Sequence, residues 1–409
     1  MSKFKLGRSR LFSPLQATFR LLPLGHRDYD QGVFFIKLRK MIYYKEAVLP
    51  TCKGKLLGKL EVKEEFLFGV KQQFMLGGEI AAYAAKAAGA KIMFGYPITP
   101  TTEILETWAK SAGENSQLKF IQTEDETSAG FGVIGAILAG VKAFTASAGP
   151  GHVLLQDPLS MAEAMRLPFV AIVGQRGGPS TGQVIYSQQE VNLACFGGNG
   201  EGLRLVYAPS NLQELYDLTI LAFQNAWRYR FPTIILADGY LLKAKGKVNL
   251  KKSRANYPTI SVLGDEKKIV NLANTFNMEE DLNAILEKNI HEYKEKSKKI
   301  VSFETHNLRN AKELIIAFGS VASACQEAIA MLKKDGKNYA LFRPITLRPL
   351  ASKTLNNLLP RFEKVIFVES SAGQLEKLVK GAIDVKMETE NLRKPAMAIT
   401  PQEIYERLK

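Results

Sequence analysis

Cysteine is scarce in this chain. Of 409 residues only three are cysteine, Cys52, Cys195 and Cys325, far apart and with no CxxC pair. That spacing excludes a zinc ribbon, a disulfide framework and an iron–sulfur cluster held by this chain alone. Histidine is nearly as rare: His26, His152, His291 and His306 are scattered and read as surface or packing residues, with no metal ligands among them. No apolar run reaches about 18 residues, so no transmembrane helix is expected. The first residues lack a compact apolar segment ending in small residues, so no secretory signal is expected either. A cytoplasmic protein without membrane contact is the expectation. GxxxxGK[ST] is absent, and GPGHVL at 149–154 lacks the third glycine of a dinucleotide fingerprint, leaving nucleoside triphosphate and NAD readings without a motif.

Charge is present but unevenly placed. The net charge is +15, of which residues 1–70 carry +8 and residues 241–300 carry +5, leaving +2 for the rest. The presumed folded core is therefore nearly neutral, and no aromatic RNA motif, zinc finger or basic recognition helix accompanies the basic stretches. Nucleic acid is not an expected partner. Residues 1–70 show no acid before Asp28 and no clear period. They read as a basic leader, a transit-like segment or translation from too early a start, with Met41 and Met75 as later candidates.

From 71 to 240 apolar strands alternate with helical patterns. Helical spacing covers Gly77 to Lys91, KIMF reads as a strand, and TTEILETWAK as a helix. LKFIQT (118–123), KAFTAS (142–147), PFVAIVGQR (168–176), LRLVYAP (203–209) and FPTIILAD (231–238) read as further strands. Residues 241–305 are a charged connector with a helix near 279–299. The alternation then restarts with ELIIAFGS, YALFRP and KVIFVES. Near-continuous apolar strands alternating with helices imply an α/β chain with two doubly wound parallel-sheet domains.

In such sheets ligands bind beyond the carboxyl ends of the strands, and four loops there carry chemistry. The first is Tyr96-Pro97-Ile98-Thr99-Pro100, within FGYPITPTTE. Pro100 fixes its own φ and pushes Thr99 out of the helical region, giving a rigid elbow with Pro100 at the first helical position. Thr99 as a simple helix cap is the plainest reading. The second is Thr123-Glu124-Asp125-Glu126. Thr123 and Glu126 fit a capping box, while three acids crowded into one turn before an apolar helix also suit a buried, proton-holding Glu126. The third, Ser147-Ala148-Gly149-Pro150-Gly151, brings backbone close to whatever lies there. The fourth is Arg176-Gly177-Gly178-Pro179-Ser180-Thr181-Gly182. Arg176 can satisfy loop carbonyls, or clamp a carboxylate with two hydrogen bonds.

In this order, GYPITP, EDETSAG with VIGAILAG, TASAGPG and RGGPSTG resemble the alpha subunit of 2-oxoacid:ferredoxin oxidoreductases, from about Phe74 onward. AFGS and VESSAGQLEKLV resemble its transketolase C-terminal-like domain. The resemblance implies a thiamine pyrimidine-binding domain at 71–240, the connector at 241–305 and the smaller domain at 306–409. It implies that Thr99 bonds the 2-oxoacid, that Arg176 grips its carboxylate, and that Glu126 contacts the pyrimidine ring nitrogen. Tyr96, Pro97, Ile98, Gly149 and Gly151 then face the cofactor. Asn is usual in the family where Gly78 stands, and an apolar residue where His152 stands.

The implied reaction is oxidative decarboxylation of a 2-oxoacid to acyl-CoA and carbon dioxide, with electrons passed to ferredoxin. Thiamine diphosphate would be shared with a beta subunit, which would carry the magnesium and an iron–sulfur cluster; gamma and delta subunits can accompany it. Coenzyme A is the co-substrate. The missing GDG…N segment fits this division, since Asp238-Gly239 is followed by Tyr-Leu-Leu. RGGPSTG favours 2-oxoglutarate, DGYL is similar to branched-chain relatives, and pyruvate stays open. Alternatives are half of another thiamine-dependent enzyme, or a non-catalytic scaffold of the same fold.

Overall fold

The computed structural model describes residues 46–50, 56–61, 70–251 and 272–409. It divides into two compact units, Met1–Lys71 and Gln72–Lys409. Of the first, one antiparallel hairpin is described, β1 (Glu46–Pro50) with β2 (Leu56–Glu61). The rest of the expected leader, with His26 and Cys52, lies outside the described residues, as does 252–271 of the expected connector.

The apolar runs form strands because continuous burial on both faces suits Val, Ile, Leu and Ala between helices. In chain order the strands, the polar edge strands included, are β3 (Val70–Leu76), β4 (Ile92–Gly95), β5 (Lys119–Gln122), β6 (Ala143–Ser147), β7 (Val170–Gln175), β8 (Leu205–Tyr207) and β9 (Thr233–Asp238). Then follow β10 (Lys245–Lys251), β11 (Phe303–His306), β12 (Glu313–Ile316), β13 (Tyr339–Pro344), β14 (Thr346–Arg348), β15 (Lys364–Glu369) and β16 (Thr389–Arg393). A seven-stranded sheet has the order β14-β8-β9-β7-β6-β4-β5, and a five-stranded sheet the order β11-β13-β12-β15-β16. Each is parallel except at one edge, where β14 and β11 run antiparallel to their neighbours. Every residue of β6, β7 and β9 is buried. Around them Phe144 meets Trp108 edge-on at 4.9 Å and Phe223 at 5.9 Å, each such burial contributing about 1.5–3 kcal/mol.

Three features were not legible in the periodicity. The segment read as connector contains β10, paired with β3, and β11, which edges the second sheet. β14 follows β13 after a single residue yet joins the first sheet beside β8. β16 reads as polar because it lies at a sheet edge, half-buried. The two sheets are further tied by Gln188 and Ser370, which exchange bonds of 3.0 and 3.1 Å, and by Arg343 on β13, which grips Glu214 through both terminal nitrogens at 2.7 and 2.8 Å. Cys195 and Cys325 are buried free thiols.

Candidate active site

Strands β7, β6, β4 and β5 lie side by side and parallel. Their carboxyl ends therefore release the four chemistry-bearing loops at one edge of one sheet. The chain leaves β4 to one side for β5 and returns to the other side for β6, so the strand order reverses between β4 and β6. A crevice opens at such a switch point.

The elbow differs from its sequence reading. The Thr99–Pro100 peptide is cis, and Thr101 N–H donates to the Ile98 carbonyl at 2.9 Å. That is a four-residue turn with cis-proline at its third position. The helix begins only at Thr102, so Pro100 does not occupy its first position and Thr99 does not cap it. Thr101 precedes the helix, and its hydroxyl donates to the Ile98 carbonyl at 2.8 Å. The elbow packs over β7, where a Cβ on Gly174 would meet Pro100 Cγ at 2.8 Å. Tyr96 and Pro97 are exposed, while Ile98 and Thr99 are half-buried.

The capping-box reading of Glu126 also gives way. Asp125 caps the helix Glu126–Leu138, its carboxylate accepting from Ser128 N–H at 2.7 Å. Thr123 instead donates its hydroxyl to the Asp125 carbonyl at 2.8 Å. Glu126 is thereby released from capping and turned inward, 4% exposed. It accepts from the Ser147 hydroxyl at 3.2 Å. Burial raises its pKa, with the Asp125 charge adding and backbone, Ser147 and Arg176 opposing. Gly151 makes the space: a Cβ there would lie 2.0 Å from Glu126 Oε1.

Arg176 leaves β7 buried. Its Nη1 donates to the Thr99 carbonyl at 3.0 Å, which joins the elbow to the arginine loop. Its Nε is buried without a partner. Burial lowers its pKa, opposed by the charges of Glu190 and Glu126. Gly149, at φ +52, gives it room, since a Cβ there would meet Arg176 Nε at 2.4 Å. Gly149 and Gly151 thus hold open the places of the two charged side chains.

Glu190 and His152 were missed as site residues. Glu190 Oε1 accepts from Gly149 N–H at 3.1 Å and from Arg176 N–H at 3.0 Å, and its Oε2 contacts His152 Nδ1 at 2.7 Å. In the sequence, SQQEVN is an ordinary polar loop, and nothing in it signals a buried carboxylate. His152, expected as a surface or packing residue, is fully buried, and its ring nitrogen bonds Glu190. Among the described residues no group of acids, histidines and cysteines has the makings of a metal site, and no helix is long and apolar enough to cross a membrane.

Residues 83–308 match the family described as pyruvate flavodoxin/ferredoxin oxidoreductase, thiamine diphosphate-binding, and residues 311–401 match pyruvate:ferredoxin oxidoreductase core domain II. The 2-oxoglutarate synthase subunit KorA of Methanocaldococcus jannaschii is 30% identical, over 77% of this chain and 94% of the relative. The ketoisovalerate oxidoreductase subunit VorB of Methanothermobacter marburgensis is 32% identical, over 77% of this chain and 92% of the relative. The 2-oxoglutarate:ferredoxin oxidoreductase of Magnetococcus marinus shares the fold, with a TM-score of 0.74 and 22% identity over 85% of this chain and 66% of that one. The thiamine-binding match covers more than half of the chain, and the order of elements and loops agrees with it: the chain belongs to the 2-oxoacid:ferredoxin oxidoreductases, as an alpha-type subunit.

Proposed function

We propose that this chain supplies the pyrimidine-binding half of a shared active site that decarboxylates a 2-oxoacid oxidatively. The observation that carries the reading is Glu126: a buried carboxyl, biased towards its protonated form, beside Arg176 at a strand-order switch. The residues fit thiamine diphosphate. Gly149 and Gly151 admit the Arg176 and Glu126 side chains against the turn after β6, so that a buried carboxyl and a guanidinium stand together at the strand ends where the cofactor's pyrimidine would lie. When bound, the cofactor supplies the electron sink that lets carbon dioxide leave.

In this reading Glu126 holds a proton at the pyrimidine ring nitrogen, because burial favours its neutral form and Ser147 fixes its orientation. Arg176 faces the substrate carboxylate with the guanidinium nitrogens that Thr99 does not use, in a site dry enough to strengthen the pairing. The Thr99 hydroxyl, on the same elbow, bonds the 2-oxoacid. Tyr96, Pro97 and Ile98 line the cofactor side. Magnesium, the diphosphate site and an iron–sulfur cluster would come from a beta subunit, with coenzyme A and ferredoxin completing the reaction in the cytoplasm. Exposed Ile121, Phe131, Val153 and Leu154, on elements flanking Glu126, suit a partner subunit closing over this edge. Residues 71–240 then act as the pyrimidine-binding domain and 306–409 as the smaller domain, joined through 241–305. KorA relatives and RGGPSTG favour 2-oxoglutarate as substrate.

The test is Glu126→Gln in the assembled complex. It should keep the melting temperature and lose about 10²–10⁴-fold in turnover; near-normal turnover would refute the assignment. Arg176→Ala should raise KM for the 2-oxoacid and spare KM for coenzyme A.

A further inference from the structure

The Glu190 side chain hydrogen-bonds the backbone of both strand-end loops that frame Glu126 and Arg176. One oxygen holds Gly149 N–H at the end of β6 and Arg176 N–H at the end of β7; the other meets His152 in the helix Pro150–Leu154. A carboxylate accepts, so His152 Nδ1 is the donor. Glu190 is 5% exposed and His152 fully buried, its Nε2 without a partner. A buried polar pair of this kind is costly unless its bonds are used, and two of them go to backbone N–H groups of the site itself.

We propose that the Glu190–His152 pair is a positioning device for substrate recognition, which sets the distance between the Gly149 turn and Arg176 and so aims the guanidinium at the 2-oxoacid carboxylate. It rests on the reading of Arg176 given above. Gly149 has no Cβ, so Arg176 Nε lies directly against that turn. Moving the turn therefore moves the guanidinium. The Glu190 charge also counters the burial that weakens the arginine's positive charge. His152 holds the carboxylate in the one orientation that serves both backbone donors. Neither residue touches the reacting atoms.

The experiment uses the assembled complex and oxamate, an unreactive 2-oxoacid analogue, with binding read by calorimetry beside steady-state KM values. Glu190→Ala orphans two buried backbone donors and should weaken oxamate about tenfold or more. KM for the 2-oxoacid should rise equally, while KM for coenzyme A stays put. Glu190→Gln still accepts both backbone bonds and should stay within about threefold of wild type. His152→Leu should resemble Glu190→Ala, and His152→Asn, whose amide can donate to Glu190, should recover most of the affinity. If Glu190→Ala leaves oxamate affinity intact while Arg176→Ala abolishes it, the positioning role is wrong. Equal losses for the Ala and Gln variants would overturn it too, since geometry would not be the cause. So would a parallel loss in coenzyme A affinity. If Arg176→Ala itself leaves oxamate binding unchanged, the reading of Arg176 fails first, and this inference with it.

Discussion

One added methyl group at Gly151 tests the geometry of the site most directly. Gly151 lies in the first turn of the helix Pro150–Leu154, and its Cβ would stand 2.0 Å from Glu126 Oε1, 2.3 Å from Glu126 Cδ and 2.2 Å from Ser147 Oγ. Real Cβ atoms do not approach closer than about 3.0 Å, so the carboxyl must retreat by about 1 Å or more, breaking its bond to Ser147. A misplacement of that size costs about 10²-fold in turnover. Stability should suffer little. Overpacking costs about 1–3 kcal/mol, and alanine in place of glycine in a helix returns up to about 1 kcal/mol. The net destabilisation is about 0–3 kcal/mol. The assay is anaerobic dye reduction by the assembled complex with 2-oxoacid and coenzyme A, beside thermal unfolding. Gly113→Ala is the control: it lies in an exposed helical turn with nothing within 4 Å of its Cβ, and should be neutral or slightly stabilising. The decisive comparison is the background. In Glu126→Ala the larger clash partner is gone and only the Ser147 hydroxyl must turn aside, so Gly151→Ala should destabilise clearly less. Activity within threefold of wild type, or equal destabilisation in both backgrounds, would refute the reasoning.

Further outcomes follow from the same geometry. Gly149→Ala meets both a positive φ and Arg176 Nε, and should raise KM for the 2-oxoacid about tenfold or more with KM for coenzyme A unchanged; equal shifts in the two would contradict the role of Arg176. Asp238, wholly buried at the end of β9, accepts from Gln175 Nε2 at 3.0 Å and is pushed up to about 6 by burial. A raised carboxyl favours its neutral form, so its contribution to stability is full below the ordinary value of 3.8 and is lost as pH rises through about 6. Asp238→Asn should remove a fall of about 3 kcal/mol between about pH 4 and 7; equal pH slopes for variant and wild type would count against it. Arg343→Ala leaves the half-exposed Glu214 and Glu304 without their shared cation and should cost about 1–3 kcal/mol by denaturant unfolding. A loss under about 0.5 kcal/mol would mean the ion pairs are solvated and idle.

The amino-acid sequence by itself determined the alternation of strands and helices, because strands buried on both faces must be apolar along their whole length. TIILAD and VAIVGQ are too short for core helices and rich in β-branched residues, which favours strands. It also determined where the backbone must turn sharply or approach closely, since prolines and glycines in loops mark such places. Only the tertiary structure decided which side chains use those places. Thr123, Asp125 and Glu126 compete for one helix terminus, and local spacing alone favours the threonine–glutamate box. Packing gave the cap to Asp125 and buried Glu126 against Ser147 and Gly151, residues that lie 21 and 25 positions later. Glu190 shows the same limit more sharply. Its meaning comes from the parallel register of β6 and β7, which brings Gly149 and Arg176 within reach of one carboxylate. A hydrogen bond between residues 41 positions apart leaves no periodic trace, because periodicity records which face of an element is buried and not what that face meets.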